Sequence, residues 1–388
     1  MPIDPRDPVQ LAQALIRCRS VTPAEAGALA LIESLLRPAG FCCHRLTMRE
    51  PGTPDVENLY ARLGTGGPHL CFAGHTDVVN AGEETAWAHP PFAGVIDAGI
   101  LYGRGAVDMK GSIACFLAAA MAHLAEKGGL QHGSLSLLIT GDEESVAVNG
   151  TRKLLDWLKQ RDEKIDACLV GEPTSADRLG DEVKIGRRGY LNAALVVLGK
   201  QGHSAYGEKA ENPIPKLARI IDRLATAVLD SGTEHFQRSS LEPTIISVPN
   251  TATNVIPGSA RANFNIRYND LHNRPELEDW VRRQCQAAAE EVGAKFTLAF
   301  EGSGDVFRTK PGPLIELMSA AVEAITGHKP SLTTNGGTSD ARFIKDFCPV
   351  VEFGLRNATA HQVDEHVPIA ELATLTAIYR HFIAAFLA

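Results

Sequence analysis

The chain has 388 residues, enough for one large or two ordinary domains, and its 44% hydrophobic and 22% charged content is ordinary for a soluble globular protein. Acids outnumber bases 46 to 38, a net charge of −8 with no long basic run, which argues against non-specific nucleic-acid binding. No stretch approaches the roughly 18 apolar residues of a membrane span, and the opening MPIDPRDPVQLAQALIRC has no leader-like apolar segment. A cytoplasmic chain with neither membrane nor nucleic-acid partners is expected.

Residues 7–18 and 23–36 have helical apolar spacing, with Leu11, Leu15 and Ile16 on one stripe and Leu29, Ile32 and Leu36 on the other. Four short apolar runs then share one design: PHLCFAGH, SLSLLITGDEES, IDACLVGEPT and CPVVEFG each stop at a glycine beside polar or acidic residues. Uninterrupted apolar runs suit strands covered on both faces, as in parallel sheets. In open sheets of that kind, ligands gather at the carboxyl ends of the strands. The alanine-rich GSIACFLAAAMAHLAEKGG, the longest mildly apolar stretch, ends in charge and suits a packed helix.

From about Tyr190 to about Gly302 the strands alternate, as in YLNAALVVLG, and two helices are expected around Pro215–Leu229 and Pro275–Val292. A strand–helix–strand–strand–helix–strand order predicts an α/β module inserted into the first domain. The earlier style returns from about Gly304. The fold class is therefore α/β: a discontinuous catalytic domain (1–188 and 304–388) interrupted by a smaller domain (189–303). Eight cysteines are scattered without a C-x-x-C pair and read as reduced and buried. Any metal must then rely on His, Asp and Glu.

Five clusters carry the chemistry. In FAGHTDVV, His75 and Asp77 fall on alternate positions, so an extended chain turns both to one face. The acid then holds one ring nitrogen while the other is free to bind a metal. An Asx-type turn with a solvated histidine suits the same stretch. In LYGRGAVDMKGS, Asp108 precedes the alanine-rich helix, where an acid also simply complements a helix amino terminus. In TGDEES, Glu143 and Glu144 are adjacent and their side chains diverge; two acids at the end of a buried strand call for a cation. GEPTS offers Glu172, and NATAHQVDE offers His361, a residue type that is as readily packed or solvated as ligating.

His75, Asp108, Glu144, Glu172 and His361 are one group too many for a closed tetrahedral zinc site and too few for two. An Asp108 bridging two cations, together with a bridging water, completes a four-coordinate shell at each. The thiolate-free set suits zinc and leaves cobalt or manganese open. Glu143 is then the spare carboxylate, placed to take a proton from water and hand it to a leaving nitrogen.

In this order, GHTDVV, GRGAVDMKG, GDEES, GEPTS, QGHSAY and GGTSDARF resemble the co-catalytic zinc metallopeptidase family of aminoacylases, carboxypeptidases and deacylases, over nearly the whole chain. The resemblance implies a zinc-peptidase-like catalytic domain with a mixed, largely parallel sheet, and a ferredoxin-like lid that pairs two chains into a homodimer. It implies ligands at His75, Asp108, Glu144, Glu172 and His361, a base at Glu143, and Asp77 in support of His75. His203, by itself a surface-loop histidine, would reach the other subunit's site and stabilise the oxyanion. Arg187, Asn254, Thr338 and Asn357 would hold an acyl carboxylate, and Arg267 the amino-acid end; for each, a surface salt bridge is the ordinary alternative. The implied activity is hydrolysis of an anionic N-acyl amino acid, with a dipeptidase and a non-catalytic metal-binding relative as alternatives. Tyr190, Ser204, Gly207 and Asn80 depart from the pattern of the branch it most resembles, where serine follows GRRG and GHVAYP and DVVP are usual.

Overall fold

The computed structural model describes residues 3–388, the side chain of Ser303 excepted. The chain forms two compact units: one runs to Ile185 and takes in Thr309–Thr333 and Ser339–Ala388, and the other is Gly186–Arg308 with Thr334–Thr338.

The first unit is built on an eight-stranded sheet in the order Cys42–Met48, Val56–Leu63, Ser134–Thr140, His69–His75, Ala167–Val170, Val350–Glu352, Glu182–Lys184, Ser331–Thr333. The four apolar runs are the four central neighbours, and they are parallel to one another. Every residue of these four strands is buried, which is why their sequences do not alternate. His75 pairs in register with Thr140, and Ala73 with Val170, so the Gly141–Glu144 and Gly171–Glu172 turns leave the sheet at one rim. Gly354 closes the same rim from the next strand. A β-carbon there would stand 2.5 Å from the Glu172 carbonyl oxygen, so only glycine lets the two turns approach.

Helices Pro8–Arg17, Lys110–Lys127 and Ile369–Phe386 pack together against this sheet. Phe72 stacks on Phe116 at 4.2 Å, and the Tyr379 hydroxyl donates to the Phe353 carbonyl at 2.6 Å. The second helix of the chain is Ala28–Leu36 rather than 23–36. The Glu25 carboxylate accepts the Gly27 and Ala30 amides, and Gly27 takes φ 92°, so the chain turns before it winds.

Membrane-span length also differs from expectation: among the described residues, one helix, Ile369–Phe386, is long and apolar enough to cross a membrane. Its Leu372, Leu375, Ile378, Tyr379, Phe382 and Ile383 are buried in the core cluster, which accounts for its apolarity without a bilayer.

The second unit carries a four-stranded antiparallel sheet in the order Ser240–Ser247, Ser259–Tyr268, Gly189–Leu198, Lys295–Gly304. Helices Pro213–Ala225 and Arg274–Val292 complete a ferredoxin-like arrangement. Along Gly189–Leu198 alternate residues are buried: Leu191, Ala193, Leu195 and Val197 join Leu217, Ile220, Leu277 and Val281 in its core.

Candidate metal centre

Six side chains of the first unit converge at the sheet rim. His75 is the last residue of its strand and 1% exposed. Its Nδ1 donates to the Asp77 main-chain carbonyl at 2.9 Å, because a carbonyl only accepts. That leaves Nε2 facing Asp108 Oδ1 at 3.2 Å and Glu172 Oε1 at 3.9 Å. On the other side, His361 Nε2 lies 2.8 Å from Glu144 Oε1 and 3.3 Å from Asp108 Oδ2. One carboxylate thus offers one oxygen to each imidazole. His75 forms a tight donor group with Asp108 and Glu144, and another with Glu143 and Glu172, their ligand atoms within 4.8 Å of one another.

The electrostatics show what such a cluster lacks. Burial drives Glu143 up to about 8, and the neighbouring Asp340 and Glu144 add to this while His75 and Arg342 oppose it. Glu172 is pushed well up by burial and by the charges of Asp108 and Glu143. Burial would also raise Asp108, but hydrogen bonds from His361 and His75 hold it below the usual carboxylate range. Those to Asp108 and Glu144 in turn raise His361 to about 10. His75 is raised well above the usual imidazole value by the carboxylates around it, against its burial. The surrounding carboxylates thus draw both imidazoles toward positive charge. Glu172 Oε1 is buried with no hydrogen-bond partner among the described residues. An orphaned carboxylate oxygen, two imidazole nitrogens and a shared aspartate form an oxygen–nitrogen donor set that fits divalent cations.

Asp77 behaves differently from the sequence reading. Its own carbonyl, not its carboxylate, holds the His75 ring; the carboxylate is 3.7 Å from Nδ1. Both carboxylate oxygens instead accept main-chain amides, from Glu143 at 3.3 Å and Glu144 at 3.1 Å. The turn that carries the two glutamates has no other use for those donors, and an unmet buried amide is costlier than a ring with a carbonyl partner. Asp142, overlooked in the sequence, caps the far side of the same turn by accepting Val148 and Asn149 amides at 2.8 Å. Asp340 and Arg342, which lie close enough to act on Glu143, were also missed as individual residues; their signal was the quoted GGTSDARF.

Of the remaining candidates, Asn357 belongs to the same unit as this cluster and the others to the second unit. Asn357 is exposed, and its amide donates to the Ser175 carbonyl at 3.0 Å. In the second unit Arg187 donates to the Gly337 carbonyl at 3.1 Å, which places it beside Thr338. His203 and Asn254 meet where the Gly202–His203 and Val255–Ile256 strands pair, and Ser204 donates to the Asn254 carbonyl at 2.9 Å. Arg267 stands directly opposite Tyr190, its guanidinium 5.5 Å from the ring centre, and its Nε donates to Asn265. All eight cysteines are free thiols; Cys42 is exposed and Cys18 half-buried, the other six buried.

The peptidase family M20/M25/M40 model matches residues 71–385, and the chain belongs to that family. A succinyl-diaminopimelate desuccinylase from Rhodospirillum centenum is 58% identical over 374 residues, covering 96% of each chain. One from Methylobacterium nodulans is 57% identical over 387 residues, covering 100% of this chain and 97% of its own. Among solved structures, an M20 family metallo-carboxypeptidase from Sulfolobus solfataricus shares the fold with a TM-score of 0.80 at 18% identity, covering 99% and 100% of the two chains.

Proposed function

We propose that this chain is a dinuclear-metal amide hydrolase that releases succinate from N-succinyl-L,L-diaminopimelate, in diaminopimelate and lysine biosynthesis. The observation that carries the reading is Asp108, whose two oxygens face two different imidazoles, in a chain 58% identical to a named desuccinylase. His75 and Glu172 lie on one side of it, and His361 and Glu144 on the other. Two divalent cations held there, zinc with cobalt or manganese as an option at the second place, would polarise the amide carbonyl and make a water at the site more acidic.

Glu143 takes one proton from the attacking water and delivers it to the leaving nitrogen. The water oxygen bonds to the carbonyl carbon, the carbon–nitrogen bond breaks, and succinate and the free amine part. As the carboxylate that the two cations would not need, Glu143 is free to carry that proton. Asp77 holds Glu143 and Glu144 in divergent directions by gripping both their amides. Arg187, Asn254 and Thr338, of the second unit, and Asn357, of the first, would recognise the acyl carboxylate, and Arg267 the amino-acid end, since guanidinium matches carboxylate geometry.

The enzyme would act in the cytoplasm as a homodimer paired through the second unit. Its edge strand Ser240–Ser247 leaves Ile245 and Ile246 55% and 63% exposed, the kind of edge that pairs with another. A second reading, an N-acyl-amino-acid deacylase such as an acetylornithine deacetylase, or a dipeptidase, draws on Tyr190, which fills the place opposite Arg267. Turnover of succinyl-diaminopimelate and of acetylornithine by the zinc-loaded protein separates the two. Cleavage of the succinyl compound is expected; cleavage of acetylornithine alone would replace the first reading with the second.

A further inference from the structure

Glu365 lies outside the ligand set, yet its side chain is fully buried and all of its hydrogen-bonding goes to the turn that carries Asp108. Oε1 accepts the amides of Val107 at 2.8 Å and Asp108 at 3.1 Å. Oε2 accepts the Gly105 amide at 2.9 Å and Arg104 Nη1 at 2.8 Å. Its main-chain carbonyl accepts the Gly103 amide at 2.9 Å. Arg104, 2% exposed, reaches onward: Nη2 lies 3.4 Å from the carbonyls of both His361 and Asn80. Asn80 follows the His75–Asp77 segment closely, so one ion pair touches the backbone of three segments that each bear a metal-facing side chain.

A carboxylate removed from water this completely is retained only if its bonds are collectively strong. An apolar side chain here would leave three amides of the Asp108 turn and the buried Arg104 without an acceptor, so the carboxylate is matched to holding this turn. His361 also sits at φ 62°, a left-handed conformation that a non-glycine residue keeps only when its surroundings hold it there. The Arg104 contact to its carbonyl is such a hold.

We infer that the Glu365–Arg104 pair is a positioning device that fixes Asp108 and His361 at the spacing two cations require. Glu365 acts through Asp108 and touches neither metal nor substrate. The inference rests on the metal-dependent reading above.

The test measures zinc affinity by competition with a chromophoric chelator, with kcat and KM alongside, for wild type, E365Q, E365D and E365Q/R104M. The amide of E365Q meets amide donors with a donor of its own, whichever way it is turned. The double variant removes both charges, so neither is left buried alone. Folding of each is checked by circular dichroism in chelator. E365Q and the double variant are expected to bind zinc about 10–100-fold more weakly, with kcat falling further than KM rises, and E365D to recover part of the affinity. A variant that folds only with zinc supports the inference if it needs correspondingly more zinc than wild type. Wild-type affinity and kcat in either variant lacking the carboxylate would overturn it. No zinc uptake by wild type would remove the metal reading itself, and this inference with it.

Discussion

Glu143→Ala is expected to lower turnover by about 10²–10⁴-fold, the usual contribution of a positioned general base, while the protein still carries two metal ions. The geometry makes this a sharp test, because Glu143 is close enough to His75 and Glu172 to be mistaken for a ligand. Its neighbour Glu144 points to His361 instead. Metal analysis of the purified variant, beside its kinetics, decides between base and ligand. Loss of a metal ion would make Glu143 a ligand, and unchanged turnover would remove it from the mechanism. The same group leaves a mark on the chelated protein. Its folded value of about 8 lies above the usual 4.5, so the folded state holds the proton more tightly than the unfolded chain. The resulting loss of stability is absent below about pH 4.5 and grows as pH rises to about 8. Glu143→Gln removes it, so thermal melts of the chelated variant should fall less steeply over that interval than those of wild type.

His203→Ala is expected to cost about 10²–10³-fold in kcat, the cost of one oxyanion donor, with no loss of metal. His203 Nδ1 accepts the Ala205 amide at 3.0 Å. That bond places the proton of the neutral ring on Nε2, so the exposed nitrogen is a donor, as an oxyanion requires. If each active site of a homodimer takes Glu143 from one subunit and His203 from the other, a hybrid of the two inactive variants contains one intact pairing. At statistical exchange, mixing them should restore about a quarter of wild-type specific activity, since half the dimers are hybrid and each has one complete site. Exchange proven by mass spectrometry without recovered activity would show that His203 does not serve a neighbouring subunit.

Much of the rim was legible because it is written locally. An apolar run that stops at glycine and an acid names both the buried strand and the turn beyond it, and the four runs do lie side by side. The alternation read from about Tyr190 to about Gly302 likewise made the inserted strand–helix module legible, and it forms the four-stranded sheet of the second unit. What remained hidden depends on partners far apart in the chain. Nothing near Glu365 announces that its bond to the Gly105 amide spans 260 residues. Asp77 was read as the acid that holds the His75 ring, but the choice between a ring nitrogen and two amides depends on where the Glu143 turn sits. The apolar last helix escaped notice because single charges interrupt it, although its buried stripe is continuous in space.

The most direct measurement is a crystal grown with zinc and recorded at the zinc absorption edge. Two anomalous peaks about 3.5–4 Å apart are expected, one on each oxygen of Asp108, the first against His75 and Glu172 and the second against His361 and Glu144. A single ion elsewhere, or none between the two imidazoles, would contradict a dinuclear centre.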